Sequence, residues 1–345
     1  MKKYNIPIFV PHKGCPYDCV FCNQRRITGH IRETIPNEVN EIIERHLATI
    51  PVGSRIEVAF FGGSFTGIPI EEQNALMERV MPYIKSGRIS GIRLSTRPDY
   101  INDEILENLK RYNVTTIELG VQSMSDIVLC AANRGHTRAD AEAAARLIKE
   151  YDIALGLQMM TGLPGDTEEL AIDTAERMIA LKPECVRIYP TLVIKDTYLE
   201  KLYRSGLYTP QTVDEAARLA AKLIAMFEAS GITVIRVGLQ PTEEINEGAS
   251  VVAGPFHPAF GELAESAVYY NIAKEKLCKM LALSKREEAC SKRDREVIIY
   301  VSPREISKMT GNRRSNIDRF KDELGLKIKI KPDNGLAYRE LRIEL

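Results

Sequence analysis

From Tyr4 to about Val237 the chain alternates short β-rich runs with amphipathic stretches of helical period. Such alternation can satisfy its apolar faces only as a parallel sheet wrapped by helices. Strands are expected at Asn5 to Val10, Arg55 to Phe61, Gly91 to Ser95, Thr116 to Val121, Ala154 to Met160 and Cys185 to Tyr189. Between them lie helical stretches at Asn37 to Thr49, Asn102 to Arg111, Ala139 to Tyr151 and Thr167 to Leu181, with Asn37, Asn102 and Thr167 as N-caps. A partial (β/α)6, TIM-like barrel is the economical α/β fold. The 345 residues, 44% of them apolar, can bury a core of that size.

Each expected strand ends in residues that a plain core would not need. Cys15, Cys19 and Cys22 follow the first, Gly62, Gly63 and Ser64 the second, and Ser95, Thr96 and Arg97 the third. Gln122 and Ser123 follow the fourth, Gly162 to Gly165 the fifth, and Tyr189 with Pro190 the sixth. In barrels of parallel strands the active site forms from loops at the strands' C-terminal ends, so these segments are expected to converge on one mouth. Beyond Leu207 follow a helix (Val213 to Ser230), a short strand, a Gly- and Pro-rich loop (Gly238 to Gly261) and a second helix (Glu262 to Leu283). The charge-dense stretch Ser284 to Arg295 has the character of a linker or exposed helix end. This divides the chain into a barrel with a helical extension, residues 1–283, and a small basic α+β domain, residues 284–345.

Lysines plus arginines and aspartates plus glutamates both number 47, so net charge singles out no partner. No secretory leader is recognisable, because Pro7 and Pro11 interrupt the first apolar stretch and no small-residue cleavage site follows. No run approaches the roughly 20 apolar residues a membrane helix needs. Of seven cysteines, three fall within eight residues, unlike a secreted disulfide framework. A soluble, cytoplasmic protein without a membrane partner is expected.

Three thiolates spaced CxxxCxxC, from Cys15 to Cys22, can hold three irons of a cubane and leave the fourth open. An open iron can chelate the amino and carboxylate groups of S-adenosylmethionine (SAM). An electron from the cluster then breaks the sulfonium bond and releases a 5′-deoxyadenosyl radical. The competing reading is a structural zinc site, with His12 or His30 supplying the fourth ligand that three cysteines lack.

The cysteine loop, with Phe21 before its third cysteine, resembles the signature of the radical SAM superfamily. The likeness continues in Phe60-Phe61-Gly62-Gly63-Ser64-Phe65, in Ser95-Thr96-Arg97-Pro98-Asp99 and in Leu119-Gly120-Val121-Gln122-Ser123. Ser64 stands where many members carry an acidic residue or threonine. The strand motifs resemble a branch that includes the Elongator catalytic subunit and oxygen-independent coproporphyrinogen dehydrogenases. Asn23-Gln24, Ile27-Thr28-Gly29, Arg187 to Ile194 with Thr197, Leu199 and Gly206-Leu207-Tyr208, and Gly254 to Phe260 resemble the Elongator subunit and a bacterial group like it. The roughly 80 residues after position 265 are fewer than an acetyltransferase domain needs.

The resemblance implies a [4Fe-4S] cluster on Cys15, Cys19 and Cys22, the catalytic metal centre. It implies SAM held by Phe21, Gly62, Gly63, Ser64, Ser95, Gln122, Arg134, Gly162, Leu163 and Tyr189, with Gln122 on the ribose, Arg134 on the carboxylate and the Gly162 to Gly165 backbone at the adenine. It further implies an electron donor such as ferredoxin or flavodoxin. The substrate is expected to be RNA, specifically tRNA, the alternative being a porphyrin-like or other small metabolite served by an enzyme or an accessory protein. Residues 284–345 carry 16 Lys+Arg against 11 Asp+Glu. Their order is strand, helix, the turn Gly311-Asn312-Arg313-Arg314, helix, then a hairpin at Pro332 to Gly335. It is similar to a KH-type RNA clamp, although Arg314 replaces that clamp's second glycine. A solvated basic face is the plainer alternative.

Cys130, just before Arg134, is expected at the mouth, with a structural or incidental role as the plainer reading, and His257 is either a substrate-facing donor or a satisfied loop histidine. Cys185, Cys278, Cys290 and His46 are expected to be structural or incidental.

Overall fold

The computed structural model of the protein describes residues 2–10, 19–23, 35–241, 245–246, 248–284 and 296–345. The six expected strands are β1 (Lys3–Val10), β2 (Arg55–Gly62), β3 (Gly91–Thr96), β4 (Val114–Gln122), β5 (Ala154–Thr161) and β6 (Cys185–Pro190). After the two-residue β7 (Val193–Ile194), β8 (Thr233–Val237) joins β6 in parallel and extends the sheet to seven strands, ordered β1-β2-β3-β4-β5-β6-β8. The sheet curls into a half-barrel of the TIM-like kind. β7 pairs with β9 (Val251–Ala253) in a separate two-stranded ribbon.

Local chemistry explains the elements. Pro7 is tolerated inside β1 because that strand is an edge, bonded only to β2, and a missing N–H there breaks no second ladder. Asn102 and Thr167 cap their helices, accepting from the N–H groups of Ile105 and Leu170. The first helix starts earlier than expected, at Pro36, whose fixed φ suits the first helical position. Asn37 therefore lies inside the helix rather than at its cap.

Period-two alternation separates the sheet's faces. Ile6, Val58, Leu94, Ile117, Leu119, Val121, Leu157 and Ile188 are buried. The alternate positions Asn5, Phe61, Ser95, Glu118, Gly120, Gln122, Gln158, Arg187 and Arg236 line a cavity inside the curl.

By packing, the chain forms two compact units, residues 1–212 with 226–258, and residues 213–225 with 259–345. In the second unit the helix Phe260–Ser284 contributes Tyr269, Tyr270, Ala273 and Leu277 to a core with Val297, Ile299, Val301, Met309 and Phe320. Its sheet consists of β10 (Glu296–Val301), β11 (Lys327–Pro332) and β12 (Leu341–Glu344). The expected hairpin is not formed: β11 and β12 both pair with β10, parallel and antiparallel respectively, rather than with each other. β10 takes the centre because Val297, Ile299 and Val301 are fully buried. In the turn between the unit's helices, Gly311, Arg313 and Arg314 all have positive φ, so Arg314 adopts a backbone conformation that favours glycine. Among the described residues no helix is long and apolar enough to cross a membrane.

Candidate active site

The cavity of about 750 Å³ lies wholly within the first unit. Cys19, Phe21, Cys22, Gly62, Gly63, Ser64, Ser95, Gln122, Arg134 and Tyr189 all line it. Cys15 lies outside the described residues, as do His12, His30 and the stretch from Gln24 to Gly29. Gly162 and Leu163 are not in this cavity. They line a smaller one of about 300 Å³ with Asp166, Tyr208 and Gln211, and Leu163 is packed with Val20, Val128 and Tyr208. There the Tyr208 hydroxyl donates to the Gly162 carbonyl at 2.6 Å. The Gly162 N–H donates to Asp166 at 2.8 Å, and burial raises the Asp166 carboxyl to about 6. Cys130 is exposed on the helix Asp126–Ala131 and does not line the main cavity, nor does His257. Cys185 is buried in β6, Cys278 is exposed, and Cys290 lies outside the described residues.

The cysteine segment is pinned at Val20. Its N–H donates to the Ala132 carbonyl at 3.1 Å, its carbonyl accepts from Leu199 N–H at 2.7 Å, and its side chain is buried in an apolar cluster. This anchor presents Cys19 and Cys22 to the cavity on a turn closed by Cys22 N–H to the Cys19 carbonyl at 2.9 Å. Neither sulfur is in a disulfide. The Arg134 Nη1 lies 3.5 Å from the Cys19 sulfur, and its Nη2 donates to the Gly120 carbonyl at 2.7 Å. The Arg134 Nε is buried with no hydrogen-bond partner among the described residues. A buried guanidinium with a spare donor beside the Cys19 sulfur suits a thiolate-bound anionic group and a carboxylate ligand. The donors present therefore fit an iron–sulfur cluster with bound SAM. Among the described residues no trio of His, Cys, Asp or Glu gathers as a metal site, Cys15 being outside them.

Around Arg134 the backbone and a second guanidinium are fixed. Arg97, 2% exposed, donates to both Asp99 carboxylate oxygens at 2.9 Å and to the Arg134 carbonyl at 2.6 Å. The Ser64 hydroxyl is engaged with Thr96 at 2.8 Å and accepts from the Arg97 N–H at 3.2 Å. Gln122 has φ +68° at a register shift between β4 and β5, and its side-chain oxygen accepts from Gln158 at 3.2 Å. Gly120 keeps this corner open: a Cβ there would stand 2.9 Å from both the Arg134 Nη2 and the Gln122 side-chain nitrogen.

His136 is buried next to this corner, its Nε2 facing the Val121 carbonyl at 3.2 Å. Burial, then the guanidiniums of Arg134 and Arg97, push its imidazole down to about 4. In the unfolded chain the ring titrates near 6.5. Between pH 6.5 and 4 the unfolded state therefore holds the additional proton, and acid destabilises the fold by about 3 kcal/mol at the lower end. In His136→Asn the unfolding midpoint, followed against pH, is expected to fall less steeply below pH 6.5 than in wild type. Identical profiles would refute this assignment.

Charged residues that the strand-end motifs did not include occupy the interior. The Glu118 carboxylate, 5% exposed, is held by Arg93 Nη1 at 2.7 Å and by the Nε and Nη2 of Arg187. Burial opposes its charge, but Arg187 and Arg93 outweigh burial and hold its carboxyl below the usual range. Arg93 also bonds Glu57 at 3.1 Å, and Arg187 stacks over Phe61 at 5.2 Å. Gly156 leaves room for this network, since its Cβ would lie 2.9 Å from the Glu118 side chain. The signal for it was the alternation of Glu118, Gly120 and Gln122 with Ile117, Leu119 and Val121: residues other than apolar ones at every second position mark a strand with one face turned to a polar interior.

A family profile described as the Radical SAM superfamily matches residues 9–178, and one described as the Radical_SAM C-terminal domain matches residues 183–270. The chain is 27% identical over 186 residues to the tRNA uridine(34) acetyltransferase of Methanocaldococcus jannaschii, covering 48% of this chain and 34% of that protein. It is 30% identical over 193 residues to Elongator complex protein 3 of Mus musculus, covering 50% and 35%. The chain thus spans about a third of the length of these curated relatives. The solved Methanocaldococcus infernus Elp3 with an N-terminal deletion shares the fold, with TM-score 0.61, 21% identity, and coverage of 80% of this chain and 63% of that one.

Proposed function

The chain belongs to the radical SAM superfamily of enzymes, and from that premise we propose that it cleaves SAM reductively to modify RNA, with tRNA as the substrate. The superfamily's cofactors are a [4Fe-4S] cluster and SAM. The observation that carries the reading is the meeting of Cys19, Cys22, Arg134, Gln122, Gly62 and Gly63 around one cavity. With Cys15, the two cysteines would hold the cluster. When bound, the cluster supplies one electron from a donor such as ferredoxin or flavodoxin to the SAM sulfonium, giving methionine and a 5′-deoxyadenosyl radical.

The protein's own groups bind and orient. The Arg134 Nε would donate to the SAM carboxylate, a charge-assisted bond. The Gln122 amide, held by Gln158, would meet the ribose hydroxyls. The backbone at Gly62, where φ is +111° and a Cβ would lie 3.1 Å from the Val10 carbonyl, would receive the methionine amino group. Gly162 and Leu163, lining a separate cavity, would act at the adenine only through the backbone that follows β5. The tRNA reading is supported by the curated relatives and by the second unit, where Arg304, Arg313, Arg314 and Lys321 are exposed. Cytoplasmic location follows from the same reading.

Anaerobically reconstituted protein given dithionite and SAM is expected to release 5′-deoxyadenosine; a non-catalytic carrier would not. Modified nucleosides in tRNA from cells with and without the protein would then differ. Arg134→Ala is expected to keep the cluster yet weaken SAM by about 1.5–3 kcal/mol, roughly ten- to hundredfold in Kd, as measured by equilibrium binding. Unchanged affinity would remove Arg134 from the SAM site.

A further inference from the structure

The wall of the cavity formed by β6, β8 and the segment after it carries a charge pattern that the cofactor assignment does not use. Four arginines line the cavity, Arg97, Arg134, Arg187 and Arg236, against one carboxylate among the described residues, Glu118. Arg97 is neutralised by Asp99, and Arg134 stands at the Cys19 sulfur. Glu118 is shared between Arg187 and Arg93, and Arg93 also takes Glu57. Arg236 is exposed and makes no ion pair with any described residue. It is also the direct cross-strand partner of Arg187 in the β6–β8 ladder.

Like charges set opposite each other on neighbouring strands repel. Glu57 is taken by Arg93 and Arg55, and Glu118 by Arg93 and Arg187, so among the described residues no carboxylate is left to pair with Arg236 at the cavity. The same cavity is also lined by Gln240, Tyr189, Leu192 and Ile245. An exposed guanidinium in a cavity that also carries an amide, a phenol ring and apolar side chains suits a nucleotide, whose phosphate takes the charge and whose base takes the rest.

We propose that Arg236 anchors a phosphate of the substrate nucleotide, making the β6–β8 wall the substrate subsite. The proposal rests on the RNA reading above and names the group recognised.

The test uses full-length, cluster-reconstituted protein as wild type, Arg236→Ala and Arg236→Lys. Arg236→Ala is expected to weaken binding of unmodified tRNA transcript about tenfold and to remove about one unit from the slope of log K against log salt. Arg236→Lys is expected to restore the slope, because the charge returns, while recovering affinity only in part. Wild-type protein is expected to prefer nucleoside 5′-monophosphates to the matching nucleosides, and Arg236→Ala to lose that preference. Iron content and SAM binding report that the variants are intact. A wild-type affinity and slope in Arg236→Ala would overturn the subsite, as would an equal deficit for nucleotide and nucleoside. Failure of wild type to release 5′-deoxyadenosine would instead overturn the functional reading, since RNA and nucleotide binding are measured apart from SAM cleavage.

Discussion

Cys19→Ala leaves the reconstituted protein colourless, with iron falling from about four atoms per chain to near zero and the visible charge-transfer absorption lost. A cubane held by three thiolates has no spare protein ligand, so removing one sulfur leaves two irons open rather than one. The fold is expected to survive. The segment is anchored at Val20 by two backbone hydrogen bonds and an apolar cluster, not by the cysteine side chain. Far-ultraviolet circular dichroism and the apo-protein unfolding midpoint should therefore match wild type, while iron and absorption do not. Iron content at the wild-type level in the variant would disprove the role of Cys19. One zinc per wild-type chain and no visible absorption would return the loop to the competing structural-zinc reading.

Glu118→Ala is the substitution expected to cost most stability, about 3–5 kcal/mol by denaturant unfolding. It deletes the carboxylate shared by Arg93 and Arg187, whose side chains are 14% and 11% exposed, and leaves two guanidiniums facing each other in the barrel interior. Arg93 keeps Glu57 as a partner; Arg187 keeps only Tyr189 at 3.4 Å and the Phe61 face among its described contacts. Replacing Glu118 and Arg187 together by apolar residues of similar volume should recover much of the loss, because an absent ion pair costs far less than a broken one. If Glu118→Ala unfolded at the wild-type denaturant concentration, the network would be a solvated surface feature rather than an interior support.

Strand positions were readable because a short apolar run marks Arg55–Gly62 and period-two alternation of apolar and polar residues marks Val114–Gln122. Most of the site was readable for a related reason. Cysteines, a glycine pair and a Gln placed after successive strands must meet once those strands are parallel neighbours. Gly162 and Leu163 are the exception. They too follow a strand, but Leu163 turns into the apolar cluster around Val20 and the loop closes over its own smaller cavity. The hairpin at Pro332 to Gly335 failed because turn residues show where a chain can reverse, not which strand its arms will choose. β10, more apolar than either arm, took both.

By itself the sequence determined the repeating strand–helix order, the cysteine spacing and most of the strand-end residues that line the cavity, Gly162 and Leu163 excepted. All of these depend on near neighbours in the chain and on the period of a strand. Only the tertiary structure decided which arginines are compensated. Glu118 serves Arg93 and Arg187 from 25 and 69 positions away, while Arg236 lies opposite Arg187. Pairing of charges across a curled sheet depends on register and on side-chain reach through a low-dielectric interior, and neither quantity is written in the local pattern.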